Sequence, residues 1–79
     1  MNIGDKFFNG KIEYTVLHFT GNEQSNLALL KRDTYCPYVV AINIRAEKDG
    51  TFTWAFGHYF NKKSNALTEF YEQRRKQIY

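Results

Sequence analysis

Apolar and polar residues alternate with a period of two through most of this chain, and the period lengthens to three or four residues only after Phe60. Short alternating runs bounded by turn residues specify strands, and the longer period specifies a helix. The pattern predicts an α+β fold: an antiparallel β-meander of about five strands, at about 4–8, 11–19, 26–33, 37–46 and 51–60, with a C-terminal helix at about 62–77 packed on one face.

Turn residues set the expected registers. Asn9-Gly10 suits a two-residue type I′ turn, whose two central positions both need positive φ. That turn would pair Phe8 with Lys11 and Lys6 with Glu13, the second pair being oppositely charged. Thr20 to Ser25 is polar and contains Gly21, so it reads as a loop. Asn26 to Asp33 holds Leu27-Ala28-Leu29-Leu30, which fits a strand or a helical turn; its place between that loop and the next strand favours a strand. Pro37 cannot donate within a strand and marks the boundary before Tyr38–Arg45.

Lys48-Asp49-Gly50 decides how the last two strands face. A three-residue loop with Gly50 in the left-handed region pairs Ile44 with Trp54, Ile42 with Phe56 and Val40 with His58. A two-residue loop would instead set Trp54 against Arg45 and Phe56 against Asn43. The first register separates apolar from polar side chains. It is expected to turn Trp54 and Phe56 together towards the helix, leaving a second face with Val39, Ala41, Asn43, Arg45, Thr53, Ala55, Gly57 and Tyr59 open.

Beyond Phe60, Asn61 or Ser64 is placed to cap a helix whose stripe is Ala66, Leu67, Phe70, Tyr71, Arg74 and Ile78. Composition then narrows the class. A chain of 79 residues has room for one domain, and 18% aromatic residues build a small core from a few large rings. Cys36 is the only cysteine, so no intrachain disulfide is expected. The longest apolar run, Tyr38–Ile42, is too short to span a bilayer, and the start of the chain has no leader pattern. A cytoplasmic protein without membrane partners is the expectation.

The net charge of +3 is local: residues 61–79 hold Lys62, Lys63, Arg74, Arg75 and Lys76 against Glu69 and Glu72, while the rest balances. Such a basic helix end beside aromatics has the ingredients for phosphate contact and base stacking. Cations in a last turn also offset the helix dipole, and Glu72 is spaced to pair with Lys76.

Catalytic and metal chemistry find little footing. His18 and His58 lie on different strands, neither spaced with another ligand, whereas a zinc site needs about four ligands in close pairs. Cys36, flanked by Tyr35 and Pro37, reads as a packed inert thiol in preference to a nucleophile served by a histidine. No glycine-rich phosphate loop, nucleophile elbow or acidic cluster is present. The expectation is a non-enzymatic interaction module with no cofactor and no metal. It would bind a protein partner or itself through the free sheet face, around Asn43, Arg45, Thr53 and Tyr59, and through sheet edges, with nucleic-acid binding through the basic helix residues as the alternative.

Trp54-Ala55-Phe56-Gly57-His58-Tyr59-Phe60, followed by Ala66 and Phe70, resembles a signature of small uncharacterised proteins of Gram-positive bacteria, their phages and conjugative elements. It covers about a quarter of the chain. The resemblance implies context and no activity: a short accessory protein of a phage or mobile element that binds a macromolecule of the host or the element.

Overall fold

Short polar turns join each strand to the next, so consecutive strands lie side by side and antiparallel. The computed structural model describes residues 1–22 and 24–76. Its strands β1 (Lys6–Asn9), β2 (Ile12–Gly21), β3 (Asn26–Arg32), β4 (Tyr38–Ala46) and β5 (Phe52–Phe60) form one sheet in chain order, followed by helix α1 (Lys63–Lys76). This is the α+β meander with a C-terminal helix that the alternation predicts. The expected helix end at Gln77 and the stripe position Ile78 lie outside the described residues.

The sheet curls until β1 approaches β5, with the Phe7 ring 4.9 Å from that of Phe52 and 6.5 Å from that of Trp54. Two irregularities accompany the bend. In β2, Val16 faces Leu30 and His18 faces Leu29, so Leu17 is an extra residue. This bulge keeps Val16 and Phe19 inside the curl and gives Leu17 to the helix side, where His18 also meets Phe70. In β4, Asn43 takes a φ of +59°. Beside it Ile42 packs with the helix cluster, and Ile44 packs with the concave one.

Both faces of β3 are therefore covered. Ala28 and Leu30 join Phe7, Tyr14, Val16, Val39, Ala41 and Ile44 inside the curl, while Leu27 and Leu29 meet Val40, Ala66 and Phe70 under α1. None of the four residues Leu27–Leu30 exposes any surface (0% each), which is why this run does not alternate like its neighbours. Burying each Leu or Val side chain stabilises by about 1.5–3 kcal/mol.

The three-residue turn at Lys48-Asp49-Gly50 is present: Glu47 N–H donates to Thr51 C=O at 2.8 Å, Gly50 N–H to Glu47 C=O at 3.1 Å, and Ile44 faces Trp54. Its expected consequence for the faces does not hold. Trp54 turns into the concavity against Tyr14, at 5.3 Å between rings, whereas Phe56, opposite Ile42, is 67% exposed. The change of side at Asn43 separates two residues that strict alternation would keep together. It also breaks up the expected open face: Val39 and Ala41 are wholly buried, while Arg45, Thr53, Ala55 and Tyr59 stay exposed.

The first hairpin is offset by two residues from expectation. Asn9 faces Ile12, and Phe8, not Lys6, faces Glu13, so Gly10-Lys11 forms the loop. Gly10 has φ +65° and Lys11 is not in the left-handed region. One positive φ at a first-position glycine matches a II′ turn, in place of the I′ turn that Asn-Gly suggested. An offset of two preserves the faces and stacks Phe7 on Tyr14 at 5.5 Å. In α1 the first bond runs from Ala66 N–H to Lys62 C=O at 3.2 Å, making Lys62 the capping position in place of Asn61 or Ser64. Glu72 pairs with Arg75 at 3.6 Å, not with Lys76, across an exposed one-turn spacing worth little.

Candidate functional site: the two ends of the curl and the outer edge

At the Asn26 end of β3, the left-handed turn of Asn43 interrupts the ladder between β3 and β4, whose regular pairing ends at Leu27 opposite Ile42. The buried side chain of Asn26 fills the gap. Its Oδ1 accepts from Ile44 N–H at 2.7 Å, and its Nδ2 donates to Ile44 C=O at 3.1 Å and to Asn22 C=O at 2.9 Å. Asn43 Oδ1 in turn accepts from Asn26 N–H at 3.3 Å. The expected binding residue Asn43 is thus half-buried and structural.

Beside this end opens a groove of about 670 Å³ lined by Met1, Phe19, Asn22, Ile44, Arg45 and Phe52 among others. Among the described lining residues Arg45 carries the only ionisable side chain. Arg45 and Thr53 face each other across β4 and β5, both exposed, and Thr53 Oγ1 donates to Glu47 Oε1 at 2.8 Å.

The opposite end of the curl is closed by Arg32. Its guanidinium donates to Cys36 C=O at 3.1 Å, Tyr35 C=O at 2.8 Å and Tyr14 Oη at 3.0 Å, and lies 5.0 Å over the Tyr59 ring. These bonds fasten the β3–β4 loop, where Cys36 takes a φ of +50°. The Cys36 side chain is half-buried, more open than the sequence reading expected. Tyr59 faces the concave side and so lies on the other surface from Arg45 and Thr53. The four expected binding residues do not form one patch.

The basic residues separate too. Lys62 and Lys63 flank the start of α1 and Arg74, Arg75 and Lys76 its end, roughly 17 Å apart along the axis. Among the described residues no group of three or more His, Cys, Asp or Glu side chains is placed to hold a metal ion, and no helix is long and apolar enough to cross a membrane.

The edges of the sheet differ sharply. β1 is four residues long and carries exposed Lys6. β5 is nine residues long with no Lys, Arg, Asp, Glu or Pro, and only its first residues meet β1. From Ala55 to Phe60 the outer edge is paired with no strand among the described residues, and Phe56, His58 and Tyr59 are exposed. Gly57 permits a close approach inside: a Cβ there would lie 2.8 Å from Trp54 Nε1 and 2.9 Å from Tyr59 Oη. The sequence points to sheet edges in general and to Tyr59 on an open face, but sets Phe56 in the core; the absence of charge along Phe52–Phe60 is the signal for this particular edge.

Comparison of the chain with protein-family models, with curated proteins and with solved structures finds no match.

Proposed function

We propose that this chain is a non-enzymatic interaction module, a cytoplasmic accessory protein of a phage or mobile element, that binds a protein partner or a second copy of itself by accepting a strand at the β5 edge. The observation that carries this reading is the bare, uncharged Ala55–Phe60 edge with Phe56 67% and Tyr59 48% exposed. Sheets ordinarily shield such an edge with lysine, proline, a bulge or a covering loop, since unpaired N–H and C=O groups template another strand. An added strand satisfies those groups, and its side chains cover Phe56. The phage or mobile-element context rests on the resemblance of Trp54–Phe60. The buried faces leave Tyr59 as the member of the expected binding set that belongs to this surface.

A photoreactive benzoylphenylalanine in place of Phe56 tests the reading in cells that produce the protein. It should cross-link to protein, either a partner or another copy, whereas the same group at Thr68, exposed on α1, should not. Absence of any cross-link at position 56 would contradict the proposal.

A further inference from the structure

We infer that the strand received at the β5 edge comes from a different protein and is acidic where it begins: it runs antiparallel to β5, with Asp or Glu beside Phe60 and alternating apolar residues beyond them that cover Phe56. This rests on the edge reading above and names its occupant. The charge at the two ends of the edge carries the inference. At the Phe60 end, Lys31, Tyr38 and Phe60 form one row across the sheet, and Arg32 holds its guanidinium 5.0 Å over the Tyr59 ring. Lys62 and Lys63 follow Phe60 closely in the chain, both exposed, and among the described residues neither enters an ion pair. Asp33 is the acidic residue in the turns adjoining this row. At the Phe52 end, Arg45 and Lys48 balance Glu47 and Asp49. The edge is thus neutral where β5 begins and basic where it ends.

The N–H and C=O groups along Ala55–Phe60 match another peptide backbone, and the adjacent cations then select acidic residues within it. β5 of a second copy does not meet that requirement, because no Asp or Glu lies between Asp49 and Glu69. Antiparallel pairing continues the arrangement of the sheet and is slightly more stable per residue than parallel pairing. It sets the leading residues of the incoming strand beside Phe60 and its later ones beside Phe56, which is 67% exposed. Phe56 and Phe60 share the helix side of the sheet, since they pair with Ile42 and Tyr38 of the helix cluster. Acidic residues therefore come first, and apolar ones follow at every second position.

The probe is the peptide Glu-Glu-Thr-Val-Thr-Val-Thr, acetylated and amidated so that its ends carry no charge. In antiparallel register it sets a glutamate opposite Phe60 and a valine opposite Phe56. Titrated into the purified protein and followed by amide NMR, it should shift the Ala55–Phe60 signals. At low salt it should bind about tenfold tighter than Lys-Lys-Thr-Val-Thr-Val-Thr, a difference that fades near about 1 M salt. Lys62→Glu/Lys63→Glu, at exposed positions, should reverse the preference, with circular dichroism to check that the variant remains folded. No shift at about 1 mM peptide, or equal binding of the two peptides, would overturn the acidic strand. Tighter binding of Thr-Val-Thr-Val-Thr-Glu-Glu would overturn the antiparallel direction. If the acidic peptide fails while benzoylphenylalanine at position 56 still captures a protein, the edge reading stands without this occupant; if that cross-linker captures nothing as well, both fall.

Discussion

The side-chain amide of Asn26 stands in for a backbone peptide opposite Ile44, accepting from its N–H at 2.7 Å and donating to its C=O at 3.1 Å. It lets β4 change sides at Asn43 without stranding buried polar groups. Asn26→Leu should therefore leave the Ile44 N–H and C=O unpaired and cost about 2–4 kcal/mol, read as a lower urea midpoint. An unchanged midpoint would show that the gap closes without Asn26.

Asn43 should obey a different rule. Its φ of +59° is accessible to glycine and strained for a β-branched residue. Asn43→Gly, losing one long hydrogen bond, should stay within about 1 kcal/mol of wild type, and Asn43→Val should cost about 2 kcal/mol or more. Equal costs for the two variants would mean that backbone conformation is not what the position selects.

Gly57→Ala tests the closeness of the aromatic pair above it. A methyl group 2.8 Å from Trp54 Nε1 must push the indole aside, costing about 1–3 kcal/mol and shifting the emission of the single tryptophan. Unaltered emission and stability would contradict the packing described.

Much of the architecture was legible because each strand is short and its turns are marked by glycine: Gly50 set the last hairpin register correctly. What escaped was every place where alternation is broken on purpose. Leu17 and Asn43 shift side chains between faces, and neither residue type announces this by itself. The Gly10 turn was misplaced by one position because Asn-Gly and Gly-Lys are both acceptable two-residue loops. Once β4 changes sides, Trp54 and Phe56 part company, and the residues expected to share one open face are divided: Val39 and Ala41 are buried, while Arg45 and Thr53 stay exposed on the other side from Tyr59. That β5 is outermost was legible in the meander pattern; which of its side chains stay exposed was not, because that depends on the change of side at Asn43.

Arg32 should resist even a conservative change. Its fork holds two loop carbonyls and the Tyr14 hydroxyl at once, a geometry a single ammonium cannot copy. Arg32→Lys should cost about 1–2 kcal/mol and raise proteolytic cutting within the 33–37 loop. Wild-type resistance to proteolysis would argue against that fastening role.

The charge split on α1 bears on nucleic acid. Lys62 and Lys63 lie at one end of α1 and Arg74 to Lys76 at the other, so these five residues do not form one basic cluster. A low-salt mobility-shift assay should give no complex, and Arg74→Glu/Arg75→Glu should change nothing. A complex that weakens steeply with salt and disappears in that variant would revive the alternative reading.

The central claim, that the bare part of β5 is where this molecule binds, is tested most directly by amide hydrogen exchange across β5 as the peptide Glu-Glu-Thr-Val-Thr-Val-Thr is added. Exchange within Ala55–Phe60 should slow as the peptide is added, while the already protected amides of β3 stay constant. Rates in Ala55–Phe60 that remain fast at every peptide and protein concentration, with or without a cross-linked partner added, would contradict it.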